Sequence, residues 1–130
     1  MVEDMDHSAA FSHPPLPSLN RYVELYNQGV RSRAGDPEIG PRLPGMLRGG
    51  GLDDVQLRVV QPVFMEGAAK RIHQITLENG QAPVIDAGLA TADEVAGLVA
   101  TLDSFCRDRE TIVSFPRSYQ VSARRPAPLS

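Results

Sequence analysis

The chain is 130 residues long, with 42% hydrophobic residues, 22% charged residues and a net charge of −3. This length allows one modest domain with a core of its own. The only adjacent arginines are Arg124-Arg125, so the clustered cations that bind nucleic-acid phosphates are missing. No apolar run approaches the length of a membrane span, which argues against a membrane partner.

Cysteine content and the first residues predict a cytoplasmic location. Cys106 is the single cysteine, so no internal disulfide can form, as is usual in a reducing compartment. The first eight residues are acidic and do not have the pattern of a secretory signal peptide. We therefore expect a cytoplasmic protein.

The N-terminal part of the chain predicts one strand and one helix. Val2–Asp6 is strand-like and is followed by a proline-rich loop, HSAAFSHPPLPS. A helix is expected after Ser18, because apolar and aromatic residues recur there at helical spacing. These residues are Leu19, Tyr22, Val23, Tyr26 and Val30.

The stretch GDPEIGPRLPGMLRGGGL, residues 35–52, has the glycines of a phosphate-binding loop, but their order favours a helix. Asp36 suits an N-cap, and the run Gly49-Gly50-Gly51 suits a helix end in the left-handed conformation. A P-loop would also need Lys and Ser or Thr where Pro41-Arg42 stands. We predict a short, bent helix over residues 37–48, since internal prolines interrupt it.

Two further elements are expected in the middle of the chain. Residues 55–63 alternate apolar and polar side chains, which predicts a half-buried strand that breaks near Pro62. Residues 68–77 are predicted to be helical, with Ile72 and Ile75 on one side.

The C-terminal third contains the clearest helix of the sequence. Thr91-x-x-Glu94 is a capping box, and the apolar stripe that follows it is expected to be buried against a sheet. That stripe includes Leu98, Val99, Leu102 and Phe105. Two extended runs follow at 111–115 and 118–123, and residues 124–130 are expected to form a frayed tail. The order of elements predicts an α/β fold with a small mixed sheet.

Histidines in the first loop are candidates for acid–base chemistry. His7 and His13 lie close in sequence to Asp6 and other acidic residues, so either imidazole could be a general base, while ordinary solvated loop polarity is the favoured interpretation. Their spacing does not suit a paired metal site, and no metal is expected. His73 shares its helix with charged neighbours and is expected at the surface.

Tyr22 and Tyr26 are four residues apart on one predicted helical face. They could line a ligand pocket with their hydroxyls at its rim, or simply pack. Cys106 lies on the apolar stripe of its helix, so a core position is favoured over a nucleophile.

Three stretches of the chain follow one another in a recognisable order. VEDMD leads into the proline-rich loop and aromatic helix, AGDPEIGPRLPGMLRGGGLDDVQLRVVQP comes next, and AGLATADEVAGLVATLDSFCRDRETIVSFPRSYQVSARRP follows. Together they resemble the C-terminal part of class I S-adenosylmethionine-dependent methyltransferases that act on small molecules. In that family a GD-x-x-IG-x-x-L helix ends in GL or GF before the sixth strand, and the seventh strand ends near RRP. The resemblance covers essentially the whole chain.

The resemblance implies a Rossmann-like fold whose fifth, sixth and seventh strands are Val2–Asp6, residues 55–63 and residues 118–123. The seventh strand would lie between the other two. Substrate-side positions would include Asp6, His7, His13, Tyr22 and Tyr26.

The cofactor implied for the full-length family is S-adenosylmethionine, but the family residues that hold it have no counterpart in this sequence. They are a glycine-rich loop after the first strand and an acidic residue after the second. No residue is therefore assigned to the cofactor, and the chain alone is expected not to bind it.

Two functions follow as expectations. Residues 1–130 would be a single partial domain, the substrate-side portion of a small-molecule methyltransferase, inactive without an N-terminal half. Alternatively the chain is a non-enzymatic remnant or a protein-interaction module that retains the fold fragment. Because the family's fourth strand has no counterpart, Val2–Asp6 would be an open edge at which self-association or a partner strand is expected.

Overall fold

The computed structural model describes residues 1–128, which form an α/β fold of five α-helices and six strands. In chain order the elements are β1 Val2–Asp6, β2 Ser12–His13, α1 Pro17–Ser32, α2 Leu43–Gly49, β3 Asp53–Val60, β4 Val63–Phe64, α3 Ile72–Asn79, α4 Gln81–Asp86, α5 Ala92–Arg107, β5 Ile112–Ser114 and β6 Arg117–Arg124. Short 3-10 turns occur at His7–Ala9, Gly40–Arg42 and Ala68–Arg71.

The larger sheet has the strand order β1-β6-β3, and both of its pairings are antiparallel. β6 therefore lies between β1 and β3, which run parallel to each other without pairing. This confirms the predicted position of the strand over residues 118–123. The sheet is antiparallel throughout and not mixed, because the two parallel strands are never neighbours.

A smaller sheet has the order β2-β5-β4, again with antiparallel pairings. β4 begins just after Pro62, where the predicted strand was expected to break. The Gln61 side chain fastens this region, because its amide donates to the carbonyl oxygens of Ala9 at 2.8 Å and Phe115 at 3.2 Å.

The hydrophobic core lies among α1, α3 and α5. Leu98 and Leu102 of α5 are buried there against helical neighbours such as Leu25 and Leu77. The expected packing of α5 against a sheet is therefore wrong, since the apolar faces of α1 and α3 cover its stripe. Phe105 lies at the end of that stripe and is only half-buried, as is Val99.

The predicted orientation of α3 is also corrected. Ile72 and Ile75 are exposed, whereas Lys70, His73 and Gln74 are buried. Most of their polar atoms have partners that offset the loss of water, although the Gln74 side-chain oxygen finds none among the described residues. The Lys70 ammonium donates to the carbonyl oxygens of Met65 and Asp108, both at 3.0 Å. The Gln74 amide donates to Asp103 of α5 at 3.0 Å.

The helix expected over residues 37–48 is shorter and begins later. Asp36 caps only a turn, in which its carboxylate accepts the N–H of Glu38 at 3.0 Å. A 3-10 turn follows, and α2 begins at Leu43, because internal prolines remove backbone donors. The glycine run ends α2 as expected, with Gly51 in the left-handed conformation at φ +87°.

Apolar side chains remain exposed on the larger sheet. Leu57 is 50% exposed and Val59 46%, so the expected half-buried face of this strand is not realised. A bulge between Asp53 and Gln56 interrupts the pairing of β3 with β6. Beside these residues the central Val121 is fully buried, on a sheet against which the 3-10 turn at Gly40–Arg42 and α2 pack.

The C-terminal tail is shorter than expected, since Arg124 still belongs to β6. Residues 125–128 have no regular secondary structure and are exposed. Leu129 and Ser130, which the predicted tail includes, lie outside the described residues. Through residue 128, every helix is too short or too polar to cross a bilayer.

Candidate functional site

Helix α1 places its two tyrosines one turn apart, and the loop after β1 brings a histidine against them. Asp6 ends β1 and accepts the N–H of Ser8 at 3.1 Å, which holds the 3-10 turn that begins at His7. The backbone N–H of His7 donates to the backbone carbonyl oxygen of Pro37 at 2.9 Å. The His7 ring then lies against Tyr26, with centroids 4.2 Å apart.

Helix α3 supplies a second histidine, which contacts the other tyrosine. The ring centroids of Tyr22 and His73 are 5.2 Å apart, and those of Tyr22 and Tyr26 are 6.2 Å apart. His7, Tyr26, Tyr22 and His73 thus form a continuous set of rings, here called the aromatic row. Of the predicted substrate-side residues, His7, Tyr22 and Tyr26 lie together, and His73, which was expected at the surface, completes the row.

Burial determines the protonation state of His73. A ring nitrogen, Nε2, donates to the Ser114 carbonyl oxygen at 2.7 Å, which places the proton of the neutral ring on Nε2. Burial lowers the pKa of His73 below its ordinary value, and the hydrogen bond to Ser114 opposes this only in part. The imidazole is therefore neutral at pH 7.

His7 is likewise neutral at pH 7. Loss of water around the ring lowers the pKa of His7, and the nearby His73 lowers it further. The carboxylates of Asp4 and Asp6 favour the charged ring, but their effect is the smaller one. A half-buried neutral imidazole can accept a proton, which is the chemistry expected of a general base.

Tyr22 acts as a hydrogen-bonding group and not as an acid at neutral pH. Burial raises the pKa of Tyr22 well above its ordinary value, and the neighbouring Tyr26 raises it further. The Thr76 hydroxyl beside it has a smaller, opposite effect on that pKa. The phenol therefore keeps its proton.

A cavity of about 260 Å³ lies on the other side of the two tyrosines, between α1, α3 and α4. We call it the helical pocket. Its lining is mostly apolar, and the tyrosines form one wall. The space on the histidine side of the row is only about 10 Å³, roughly the size of one water molecule. Of these two spaces, the helical pocket is the one with room for an organic ligand.

The remaining predicted site residues lie apart from the pocket. His13 is exposed in β2, where it pairs with Ile112, and it does not join the row. Asp6 is half-buried and is used as a cap. Cys106 is half-buried rather than in the core, and its thiol donates to the Lys70 carbonyl at 3.2 Å. Within residues 1–128, no three potential metal ligands converge.

Sequence reasoning missed two contributions to the site, His73 and α4. The available signal for His73 was its position one turn before Leu77, the only leucine of α3, because residues four apart share a helical face. α4 follows directly after Gly80, in a segment for which no helix was predicted. Its residues Pro83, Val84 and Ala87 close one side of the pocket.

Comparison with known proteins adds no family to these observations. No protein-family model matches the chain, and no curated protein matches it significantly.

Proposed function

We propose that this chain is the substrate-side, C-terminal portion of a cytoplasmic S-adenosylmethionine-dependent methyltransferase that acts on a small molecule. The observation that carries the proposal is the strand order β1-β6-β3. The resemblance expects the fifth and sixth strands to run parallel, with the seventh antiparallel between them. Strands that follow one another in a sheet's chain order more commonly pair directly. The insertion of β6 between β1 and β3 is therefore informative.

The position of the aromatic row supports the same proposal. In the open, mostly parallel sheets of the resembled fold, ligands bind beyond the carboxyl ends of the strands, and His7 lies directly after the carboxyl end of β1. Its neutral imidazole can accept a proton from an acceptor hydroxyl or amine. We assign this proton transfer to His7, and the positioning of its ring to Tyr26 and to the Asp6 cap.

The residues present do not fit S-adenosylmethionine itself. Within the described part of the chain, no strand leads through a glycine-rich turn into a helix N-terminus. The glycine run at 49–51 ends α2 and precedes β3, which is the reverse order. We therefore assign no residue of this chain to the cofactor and derive no step that involves it.

The experiment begins with the coding DNA upstream of the Met1 codon. We expect an in-frame strand–glycine loop–helix pattern there, and a protein expressed from the longer frame should bind S-adenosylmethionine at micromolar concentration by calorimetry. The 130-residue chain is the matched control and should not bind it. In the longer protein, His7→Asn should lower methyl transfer about 10²-fold or more without weakening cofactor binding.

The contrary results are equally specific. Absence of that pattern upstream would contradict the proposal, as would cofactor binding by the 130-residue chain alone. The alternative function, a non-enzymatic interaction module, is favoured by one observation, the exposure of Val2, Leu57 and Val59 on the larger sheet.

A further inference from the structure

The helical pocket has the size of a small-molecule site. An apolar cavity of about 150 Å³ in a protein interior is enough to hold benzene. At about 260 Å³ the helical pocket can accept two fused rings, with partial access from solvent. A single water molecule would fill only a small part of this volume and would leave most of the apolar wall without packing contacts.

The wall of the pocket selects against charge. Its lining includes the buried core residues Leu25 and Leu77 together with Val84 and Leu89. No acidic side chain is among the lining residues, and the one cation, Arg33, is exposed. Because burial of an unpaired charge is costly, the pocket favours an uncharged ligand.

Residues that carry hydroxyl groups are part of the wall. Tyr22, Tyr26 and Thr76 line the pocket from α1 and α3. The buried phenol of Tyr22 keeps its proton at neutral pH and is thus able to donate a hydrogen bond. Aromatic rings pack well against such tyrosines, with their edges or offset faces in contact. A flat ligand that carries a hydrogen-bond acceptor fits both features.

We propose that the helical pocket binds a neutral, planar aromatic molecule of one or two rings that carries a carbonyl or ring-nitrogen acceptor. Binding would require no cofactor, and the proposal does not depend on methyl transfer. The site is separate from the histidine side of the aromatic row, although Tyr22 and Tyr26 are common to both.

A glycine on the pocket wall allows a sharp test. A Cβ at Gly29 would meet no atom within 4 Å, so the space beside this glycine is empty. Gly29→Leu should fill the pocket without a clash, and leucine is also a better helix former. Gly97→Leu is the matched control, because Gly97 is also helical with free space beside it but does not line the pocket.

The probe is coumarin, a neutral two-ring lactone, and the ligand-binding measurements are calorimetry and methyl NMR on the 130-residue chain. We expect a Kd below about 1 mM, as the apolar contact area of such a ligand allows. Gly29→Leu should weaken binding at least tenfold, while Gly97→Leu leaves it unchanged. Tyr22→Phe should weaken binding roughly two- to tenfold through loss of one hydrogen bond.

Methyl NMR on the unmodified chain tests the location of the bound ligand without any variant. It therefore still applies if a variant does not fold. The methyl resonances of Leu25, Leu77, Val84 and Leu89 should shift on titration. No binding at millimolar coumarin would overturn the proposal, as would shifts confined to the exposed methyls of the larger sheet. Tighter binding of coumarin-3-carboxylate than of coumarin would overturn the neutral class of ligand.

Discussion

Two imidazoles at the ends of the aromatic row show how burial changes the chemistry of single residues. The rings of His7 and His73 are held by different elements, yet each is near enough to a tyrosine for ring contact. His73 has its backbone partner at Ser114, and His7 has two carboxylates nearby. In both cases loss of water dominates, so the pKa of each ring is lowered.

The lowered pKa values predict how stability changes with pH. Above about pH 7.5 both rings are neutral in the folded and unfolded states, and they contribute no pH dependence. As the pH falls through the ordinary value of 6.5, the unfolded chain binds protons that the folded chain excludes. The free energy of unfolding should therefore decrease, and the full loss is reached below the lowered pKa values.

Urea unfolding between about pH 8 and pH 5 measures this effect. His73→Gln keeps a side-chain donor for the Ser114 carbonyl but cannot ionise, so its unfolding free energy should vary less with pH. His13→Gln is the control, because His13 is exposed in β2, and it should keep the pH dependence of the unmodified chain. Equal pH dependence in all three proteins would contradict the role of His73.

At the scale of elements, one close approach fixes how the turn before α2 sits on the larger sheet. A Cβ on Gly40 would lie 2.5 Å from Cδ2 of the Tyr119 ring and 3.1 Å from the Met5 carbonyl carbon. Tyr119 belongs to the central strand β6, and Met5 to its neighbour β1. Only glycine allows the turn to contact both strands at this distance.

Gly40→Ala should accordingly lower the free energy of unfolding by about 1–3 kcal/mol, the usual cost of overpacking. Gly45→Ala is the matched control. It lies in α2 with nothing near its Cβ position, and alanine there should be neutral or stabilising by up to about 1 kcal/mol. Chemical denaturation measures the free energy of unfolding of both variants. Equal values for Gly40→Ala and Gly45→Ala would contradict the close contact of the turn with the sheet.

For the whole molecule, the open side of β1 is the dominant feature. β1 pairs only with β6, so the backbone groups on its other side face outward. Such edges are templates for further strands, and the exposed Val2 provides apolar surface on this one. Asp4 offers partial protection, because its carboxylate accepts the Met5 N–H at 2.8 Å.

We predict that the isolated chain self-associates through this edge at tens of micromolar. Light scattering should give a mass above that of one chain. Val2→Lys places a charge on the edge strand and should shift the chain toward a monomer. Ser122→Lys is the control, because it adds the same charge at an exposed position of the central strand. It should leave the self-association unchanged. A cooperatively unfolding monomer of unmodified sequence would contradict the prediction and favour a self-sufficient module.

Local signals in the sequence were sufficient for the helices α1 and α5, the glycine end of α2 and the strands β1, β3 and β6. Each depends on periodicity or capping within one segment, which neighbouring residues determine. The proximity of Tyr22 and Tyr26 could also be predicted, because they are four residues apart on one helical face. These features follow from residues that are close in the chain.

Tertiary contacts decided the rest. Lys70 and His73 are buried because the carbonyl oxygens of Asp108 and Ser114, distant in the chain, accept their hydrogen bonds. No pattern in the neighbouring residues predicts such partners. Likewise α5 packs on helices because α3 covers its stripe, and the helical pocket exists only where α1, α3 and α4 meet. The sequence determined the elements of this protein, whereas contacts between distant segments determined which of their faces are buried and where a ligand has room.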